Sequence, residues 1–339
     1  MSPDIRRIFA AQAFRAAAYG FTSVFLGISL EARGWSSTRV GLLLTAVVAG
    51  TALMNLLVGT LGDRFGRRRT YAALFLGLAL SGTVFGVTSA QWVLMAVALT
   101  GTLSTDVVES GPFTSLEQGM LPSGLAGHDA TRVFGWYNAV ATLAGSLGAL
   151  AAGGPALLRE SYTGIPADER FFLVLVPAGL IGAMIALSLS DAVEDRPGAG
   201  APQPGLGKSR PNVIRLSALF AMDSLAGGFA VQSFIAYWFR AKFDVSPEAI
   251  GAIFFGVGIL QSASFVAATR IAKRFGLLNT MVFTHLPSNL LLAAIPLAPT
   301  LAVAIVLLLG RFALSQMDVP TRQAYIARLV EPGERTAAA

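Results

Sequence analysis

Long apolar runs alternate with short charged connectors along almost the whole chain. A helix that crosses a bilayer needs about 20 apolar residues, each rising about 1.5 Å. Ten stretches meet this requirement and predict membrane helices over residues 8–30, 38–60, 70–89, 91–118, 133–157, 170–190, 213–238, 248–270, 278–297 and 299–327. The first stretch lacks a small-residue cleavage site followed by a soluble domain, so it predicts a retained helix rather than a signal peptide.

Composition strengthens the membrane interpretation. Of the 339 residues, 54% are hydrophobic and 36 are glycine, more than a soluble domain of this size buries in one core. The net charge of +6 comes from Lys and Arg in the connectors, which is typical of membrane proteins, so we predict a lipid bilayer and no nucleic acid as partner. Cysteine is absent and histidine occurs twice, so the sequence predicts no disulfide, no metal site and no cofactor.

The distribution of basic residues predicts the orientation. Alternate connectors carry 17 Lys and Arg on one side and 6 on the other. Basic residues accumulate on the cytoplasmic side of membrane proteins, so we predict a multi-pass protein of the cell membrane with a cytoplasmic N terminus. The two remaining basic residues, Arg15 and Arg311, fall inside predicted helices.

A Gly- and Pro-rich charged segment divides the chain into two parts. It predicts a six-helix N-terminal bundle over 1–190, a cytoplasmic linker over 191–212 and a C-terminal bundle with helices 7–10 over 213–339. An offset of 208 aligns Gly20–Phe21 with Gly228–Phe229, and an offset of 210 aligns Asp63–Gly66 with Lys273–Gly276. The two halves are therefore predicted to be parallel repeats of one unit.

Five charges crowd into the seven positions from Asp63 to Arg69, between the second and third apolar runs. Gly62 and Gly66 permit a tight turn and a close helix approach, and Arg67 is near enough in sequence to hold Asp63. The arginines can also anchor at anionic headgroups. The stretch matches the signature G-x-L-[AG]-D-R-x-G-R-[KR] and resembles the loop between helices 2 and 3 of the major facilitator superfamily. The matching residues are Gly59, Leu61, Gly62, Asp63, Arg64, Gly66, Arg67 and Arg68.

This resemblance covers essentially the whole chain, and it implies a secondary transporter. In the family, the loop acts as a cytoplasmic latch helped by helix 11, which implies that Asp63, Arg64 and Arg67 gate the transporter rather than bind substrate. The implied fold is an all-α polytopic helical bundle of twelve helices. Here the sequence stops after the tenth run, so we expect a six-helix half and an incomplete four-helix half. The chain is then a fragment or truncated product of a monomeric transporter, or a ten-helix variant that completes its bundle by association.

Charges inside membrane helices cost roughly 2.5 to 3.5 kcal/mol each on insertion scales, so they mark candidate functional residues. Arg15 aligns with Asp223 at an offset of 208, which predicts a pair across a central cavity or a contact with substrate. The alternative is that Arg15 snorkels to the headgroups. In helix 4, Asp106 and Glu109 share one face and are candidates for proton coupling. Glu117 is expected at the wetted cytoplasmic end of the helix, where it would pair with the arginines of the motif.

Helix 10 carries Arg311 near mid-membrane, followed by Asp318 and Arg322 at a spacing that predicts an ion pair. The segment around Arg311 resembles the superfamily's helix 4 signature, displaced here to the second half. In helix 5, the segment Gly145–Pro155 resembles the Gly- and Pro-rich antiporter motif in a different order, and close helix packing explains it equally well.

Further polar residues at membrane depth are candidates for the lining of a substrate cavity, and His285 is interpreted as a packing or lining residue rather than a metal ligand. These candidates are Tyr19, Asn138, Gln232, Gln261, His285 and Gln316.

Three functions are compatible with the sequence. The sequence favours proton-coupled efflux of a small organic compound by alternating access, with protons and the small molecule as partners. Its rival is an importer or uniporter of a small organic anion, in which Arg15 and Arg311 bind the anion. The third is a truncated membrane protein that does not transport. An enzyme is not expected, because the chain has no Walker loop, nucleophile elbow, metalloprotease motif or dinucleotide turn.

Overall fold

The computed structural model describes residues 2–104, 111–121, 127–152, 154–155, 158, 162, 168–194, 207–227, 235, 238–239, 242–245, 247–330, 334 and 338. Over these ranges the secondary structure is helical, without strands, in agreement with the predicted all-α class. The α-helices are α1 (Pro3–Ala32), α2 (Ser37–Phe65), α3 (Arg67–Val87), α4 (Gln91–Ala98), α5 (Pro112–Met120), α6 (Gly127–Ala151), α7 (Leu175–Leu187), α8 (Arg210–Gly227), α9 (Pro247–Phe275), α10 (Leu277–Ala294), α11 (Leu301–Ser315) and α12 (Asp318–Leu329). Short 3-10 helices cover Asp168–Val174, Asp191–Val193 and Ile295–Leu297.

Six segments among the described residues are long and apolar enough to cross a membrane. In five of them most of the apolar window is unburied within the protein, as expected for helices whose outer faces meet lipid, and in Arg67–Val87 56% of the window is buried. The segments are Thr38–Gly62, Arg67–Val87, Arg170–Leu187, Ala252–Phe275, Leu277–Leu297 and Leu301–Leu329.

The chain forms two compact units. The first comprises residues 1–125, 140–205 and 332–339, and the second comprises residues 126–139 and 206–331. In the first unit, α3 packs along α7, and α7 also packs against α1. A β-carbon on Gly182 of α7 would lie 2.2 Å from the Phe75 ring of α3, so this contact requires glycine.

Glycines also set the packing of α1 against the second half of α6. A β-carbon on Gly148 would lie 1.9 Å from the carbonyl oxygen of Ala17, and one on Gly20 would lie 1.9 Å from that of Gly145. The two backbones are thus in direct contact. Close packing accounts for Gly145 and Gly148 in the segment that resembles the antiporter motif.

In the second unit, α10 packs against α9, α11 and α12. Apolar side chains of the core include Phe239, Val257, Leu308 and Phe312. The backbone of Gln316 and Met317, between α11 and α12, stays in the right-handed helical region. These two helices therefore continue in nearly one direction, and together they form the predicted helix 10.

The predicted repeat has a structural counterpart at the helix-to-helix turns. Gly66 joins α2 to α3 with φ of +87°, and Gly276 joins α9 to α10 with φ of +85°. These two glycines are 210 positions apart, the offset that aligns the two halves in sequence. A positive φ is accessible to glycine at little cost, which explains why both turns use it.

Candidate functional site

The predicted gate motif forms the turn between α2 and α3, and it contacts the chain that follows α7. Glu194 places its carboxylate at the N terminus of α3, where Oε2 accepts a hydrogen bond from the Arg67 backbone N at 2.7 Å and Oε1 accepts one from the Arg68 backbone N at 3.1 Å. The first amides of a helix have no partner within the helix, and they favour a negative charge. Glu194 therefore caps α3.

The side chains of the two arginines extend the same contact. Arg67 is 1% exposed, and its guanidinium donates to the carbonyl oxygens of Gly119 at 3.3 Å and Val193 at 3.4 Å. Arg68 donates to the Asp191 carboxylate at 2.6 Å. The motif thus ties α3 both to α5 and to the segment Asp191–Glu194.

The other motif positions line the end of α2. Gly62 is buried, and a β-carbon there would lie 3.3 Å from the Leu116 side chain of α5. The side chain of Asp63 lies outside the described part of the structure, so its predicted contact with Arg67 stays a prediction. The remaining positions differ in exposure: Gly59 is half-buried, and Leu61 and Arg64 are exposed.

A buried ion pair joins α1 to α5 within the first unit. Arg15 Nη2 lies 2.7 Å from Glu117 Oε2, and both side chains are 0% exposed. The Tyr71 hydroxyl of α3 donates to the second carboxylate oxygen of Glu117. The guanidinium carbon also lies 5.1 Å from the ring centre of Phe113. The charge of Arg15 is therefore compensated inside the protein.

This arrangement corrects one expectation. Glu117 does not lie at a wetted end beside the motif arginines, because it is buried and pairs with Arg15. Within its own unit, Arg15 has Glu117 as a partner and Asp223 has His285. The predicted pair of Arg15 with Asp223 stays a prediction.

A second charged cluster lies in the second unit and combines three helices. His285 of α10 places Nε2 at 2.9 Å from an Asp223 carboxylate oxygen of α8, and Nδ1 at 3.4 Å from an Asp318 carboxylate oxygen of α12. The Arg322 guanidinium carbon lies 5.2 Å from the ring centre of Phe220, and the predicted pair of Asp318 with Arg322 stays a prediction.

Arg311 of α11 differs from Arg15 in having no acidic partner among the described residues. Its Nε is buried and makes no hydrogen bond, and its guanidinium carbon lies 4.7 Å from the ring centre of Phe312. The side chain as a whole is half-buried. Arg311 therefore holds a positive charge inside a predicted membrane helix without a described counter-ion.

The remaining predicted cavity residues have separate surroundings. Tyr19 is buried and donates to the Thr102 carbonyl oxygen at 2.7 Å, and Asn138 donates to the Gln323 amide oxygen at 2.8 Å. Gln261 and Gln316 are half-buried. Three predicted site residues lie outside the described ranges, and these are Asp106, Glu109 and Gln232.

Sequence reasoning did not identify Tyr71, Asp191 or Glu194. Tyr71 gave no signal, because a tyrosine in an apolar helix is ordinary. Asp191 and Glu194 did give a signal, since they are acidic residues directly after predicted helix 6 and can form ion pairs with a basic turn. Among the described residues, no group of three His, Asp or Glu side chains has the arrangement of a metal site.

Taken together, the fold and these groups define a class: polytopic helical membrane proteins with charges held inside the bundle. The chain belongs to the Major Facilitator Superfamily, whose family model matches residues 8–339. It is accordingly a membrane transporter, as the gate motif indicated.

The chain is similar to known proteins in sequence and in fold. The chain is 27% identical over 371 aligned residues to the uncharacterized membrane protein YJR124C of Saccharomyces cerevisiae, covering 99% of this chain and 83% of that protein. The fold is similar to that of the human organic anion transporter MFSD10 (TETRAN), with a TM-score of 0.74, 18% identity, and coverage of 100% of this chain and 89% of that one.

Two further solved structures share the fold. A bacterial homologue of the iron transporter ferroportin, in an outward-facing state, gives a TM-score of 0.62 at 15% identity, covering 99% of this chain and 87% of that one. The proton:xylose symporter XylE gives a TM-score of 0.64 at 15% identity, covering 98% of this chain and 84% of that one. At these identities the likeness concerns the fold.

Proposed function

We propose that the protein transports small organic anions by alternating access, with protons as the coupling ion. The observation that carries the proposal is Arg311. An arginine inside a membrane helix costs about 2.5 to 3.5 kcal/mol on insertion scales, so an arginine without a counter-ion there points to a functional role. An organic anion in the substrate cavity would supply the missing charge.

The contrast with Arg15 sharpens this choice. Glu117 neutralises the charge of Arg15 at 2.7 Å, and both side chains are fully buried. Arg15 is therefore not the residue expected to bind an anion. Arg311 is half-buried and has no acidic partner in the described part of the chain. Phe312, beside the guanidinium, is buried in the core of the second unit, so the guanidinium is the group that an anion would contact.

Two lines of support come from outside the site. The solved structure with a TM-score of 0.74 is named as an organic anion transporter, and another neighbour is named as a proton symporter. Their low identity makes them a guide to the choice of probes rather than to the substrate. The sequence supported export through the segment that resembles the antiporter motif. In the fold, Gly145 and Gly148 of this segment pack against α1. The proposal therefore does not include a direction of transport, which the imposed gradient would set.

In this proposal the motif turn is the gate, on the cytoplasmic side of the cell membrane. Arg67 and Arg68 hold the segment Asp191–Glu194 through hydrogen bonds and an ion pair. Releasing these contacts would free the ends of α3 and α7. The gate is thus a set of polar contacts that can break and re-form as the transporter changes state.

The test is ligand-induced stabilisation of the purified protein. Benzenesulfonate, naphthalene-1-sulfonate and phthalate are compared with benzenesulfonamide, naphthalene-1-sulfonamide and phthalamide, which match their shapes without the charge. A ligand at 100 times its Kd stabilises the folded protein by about 2.7 kcal/mol. We expect a rise in melting temperature with at least one anion and none with its neutral match.

Variants assign the effect to Arg311. Arg311→Gln is expected to lose the response at least tenfold in apparent Kd, and Arg311→Lys to keep part of it. Arg328→Gln removes a charge from the exposed end of α12 and serves as the matched control, with an unchanged response. Equal responses to an anion and its amide would contradict the proposal. If no probe stabilises the wild-type protein, the result would contradict the proposal and favour the alternative of a membrane protein that does not transport.

A further inference from the structure

Three titratable side chains outside the Arg311 site meet in the second unit. Asp223 comes from α8, His285 from α10 and Asp318 from α12, and the two acids contact opposite nitrogens of the imidazole at 2.9 and 3.4 Å. The relative exposures of the Asp223, His285 and Asp318 side chains are 42%, 30% and 13%. The cluster is thus partly enclosed.

The geometry favours the imidazolium form of His285. An imidazolium has an N–H on both ring nitrogens. Here Nε2 hydrogen-bonds to Asp223 at 2.9 Å, and Nδ1, which makes no hydrogen bond, lies 3.4 Å from an Asp318 carboxylate oxygen. A neutral imidazole donates from only one nitrogen, so the lone pair of the other would face a carboxylate that also lacks a proton. Removing one proton therefore turns one attractive contact into a repulsive one and strains the junction of the three helices.

The imidazole contacts both acids, and basic residues of the same helices lie at different distances from them. Arg322 lies one turn after Asp318 on α12, with its guanidinium carbon 5.2 Å from the ring centre of Phe220 of α8, and Arg311 lies seven residues before Asp318 on α11. The other basic residues of the helices around α10 are Arg215, Arg270, Lys273, Arg274 and Arg328.

We propose that Asp223, His285 and Asp318 form the proton-binding site that couples transport to the pH gradient, an inference that rests on the proposed function. Protonated, the cluster carries a net charge of one negative unit. Deprotonated, it carries two. The proton binds at an imidazole shared by three helices, so its arrival and departure change how those helices are held together.

The position of Arg311 sets the sign of the coupling. Arg311 lies seven residues before Asp318, which corresponds to about 10 Å along the nearly continuous α11 and α12. A proton on the cluster removes one negative charge at that distance from the proposed anion site. With an effective dielectric constant of about 20, this strengthens anion binding by about tenfold. The proton and the anion therefore bind cooperatively, as symport requires.

The first experiment counts protons in the wild-type protein. Binding of naphthalene-1-sulfonate, or of whichever sulfonate stabilises best, is measured by calorimetry in buffers of different ionisation enthalpy. A sulfonate does not titrate in this range, so any proton taken up is bound by the protein. We expect uptake of a fraction of one proton per anion, largest near the midpoint of the titration, and an apparent Kd about tenfold lower at pH 5.5 than at pH 8.5. Binding without proton uptake at any pH would overturn the proposal.

The second experiment separates coupling from transport in proteoliposomes. His285→Gln, Asp223→Asn and Asp318→Asn are compared with wild type in sulfonate counterflow without a pH gradient, and in accumulation driven by one. Asp244→Asn, an exposed loop position at φ +53° that asparagine also adopts, is the matched control. We expect the cluster variants to keep counterflow within about threefold and to lose gradient-driven accumulation at least tenfold, while the control keeps both.

The outcomes distinguish this inference from the proposed function. Accumulation driven by the pH gradient in His285→Gln would overturn the cluster as the proton site, with anion transport intact. Loss of counterflow in all three folded variants would assign the cluster to substrate binding and would also overturn it. Failure of the proposed function would look different, because wild type itself would then show no counterflow.

Discussion

Removing the Glu117 side chain should strongly destabilise the first unit. Glu117 compensates Arg15 at 2.7 Å, and neither side chain is exposed. Breaking a buried ion pair on one side leaves an uncompensated charge, which costs about 3 to 5 kcal/mol. Glu117→Ala also removes the acceptor of the Tyr71 hydroxyl, which adds about 1 kcal/mol. The expected loss is therefore about 4 to 6 kcal/mol, enough to abolish the folded state of many proteins.

The assay is the free energy of unfolding in mixed micelles titrated with SDS, followed by tryptophan fluorescence. The control is Asp191→Ala, which breaks the ion pair with Arg68 at a carboxylate that is 76% exposed. Exposed pairs contribute about 0 to 1 kcal/mol, so this variant should lose little. A second comparison replaces the whole polar group by apolar side chains, with Arg15→Met, Tyr71→Phe and Glu117→Leu combined. Because no charge is then left unpaired, this variant should lose less than half as much as Glu117→Ala. If Glu117→Ala loses no more than Asp191→Ala, the reasoning is refuted.

Three further predictions concern the turn after α2, the contact of α1 with α6, and the N terminus. Glu194→Ala removes the cap of α3 and should cost about 1 to 2 kcal/mol in the same assay, whereas an unchanged unfolding curve would contradict the capping role. Gly148→Ala places a methyl group against the carbonyl oxygen of Ala17 and should lower stability by about 1 to 3 kcal/mol, so a neutral effect would mean that the two helices do not touch. Burial raises the pKa of Asp4, but hydrogen bonds from Ser190 and Arg7 outweigh it and hold the pKa below its ordinary value. Its contribution to stability is therefore complete above about pH 4 and lost as the pH falls further, and Asp4→Asn should flatten this acid limb of the melting temperature, while a parallel curve would count against it.

The apolar runs and the gate motif predicted the class of fold because their signals are local. A run of apolar residues needs only its own length to indicate a membrane helix, and the turn at Gly66 needs only a few neighbouring residues. The helix ends were less predictable. The predicted helix 10, residues 299–327, is built from α11 and α12 with a turn at Gln316 and Met317.

Partners of the charged residues within the helices could not be predicted, because they depend on helix rotation and long-range packing. Arg15 and Glu117 are 102 positions apart, and His285 and Asp223 are 62 apart. No spacing rule links such positions. The burial of Glu117 could not be predicted for the same reason. Its position near the end of an apolar run predicted exposure, whereas in the fold it contacts Arg15 of α1 and Tyr71 of α3.

The central claim is that Arg311 binds a transported organic anion, and counterflow tests it most directly. Proteoliposomes are loaded with unlabelled naphthalene-1-sulfonate, or with the anion that stabilises best, and diluted into the labelled compound. The account predicts a transient accumulation of label with wild type and Arg328→Gln, and none with Arg311→Gln. Full accumulation with Arg311→Gln, or none with wild type for any stabilising anion, would contradict it.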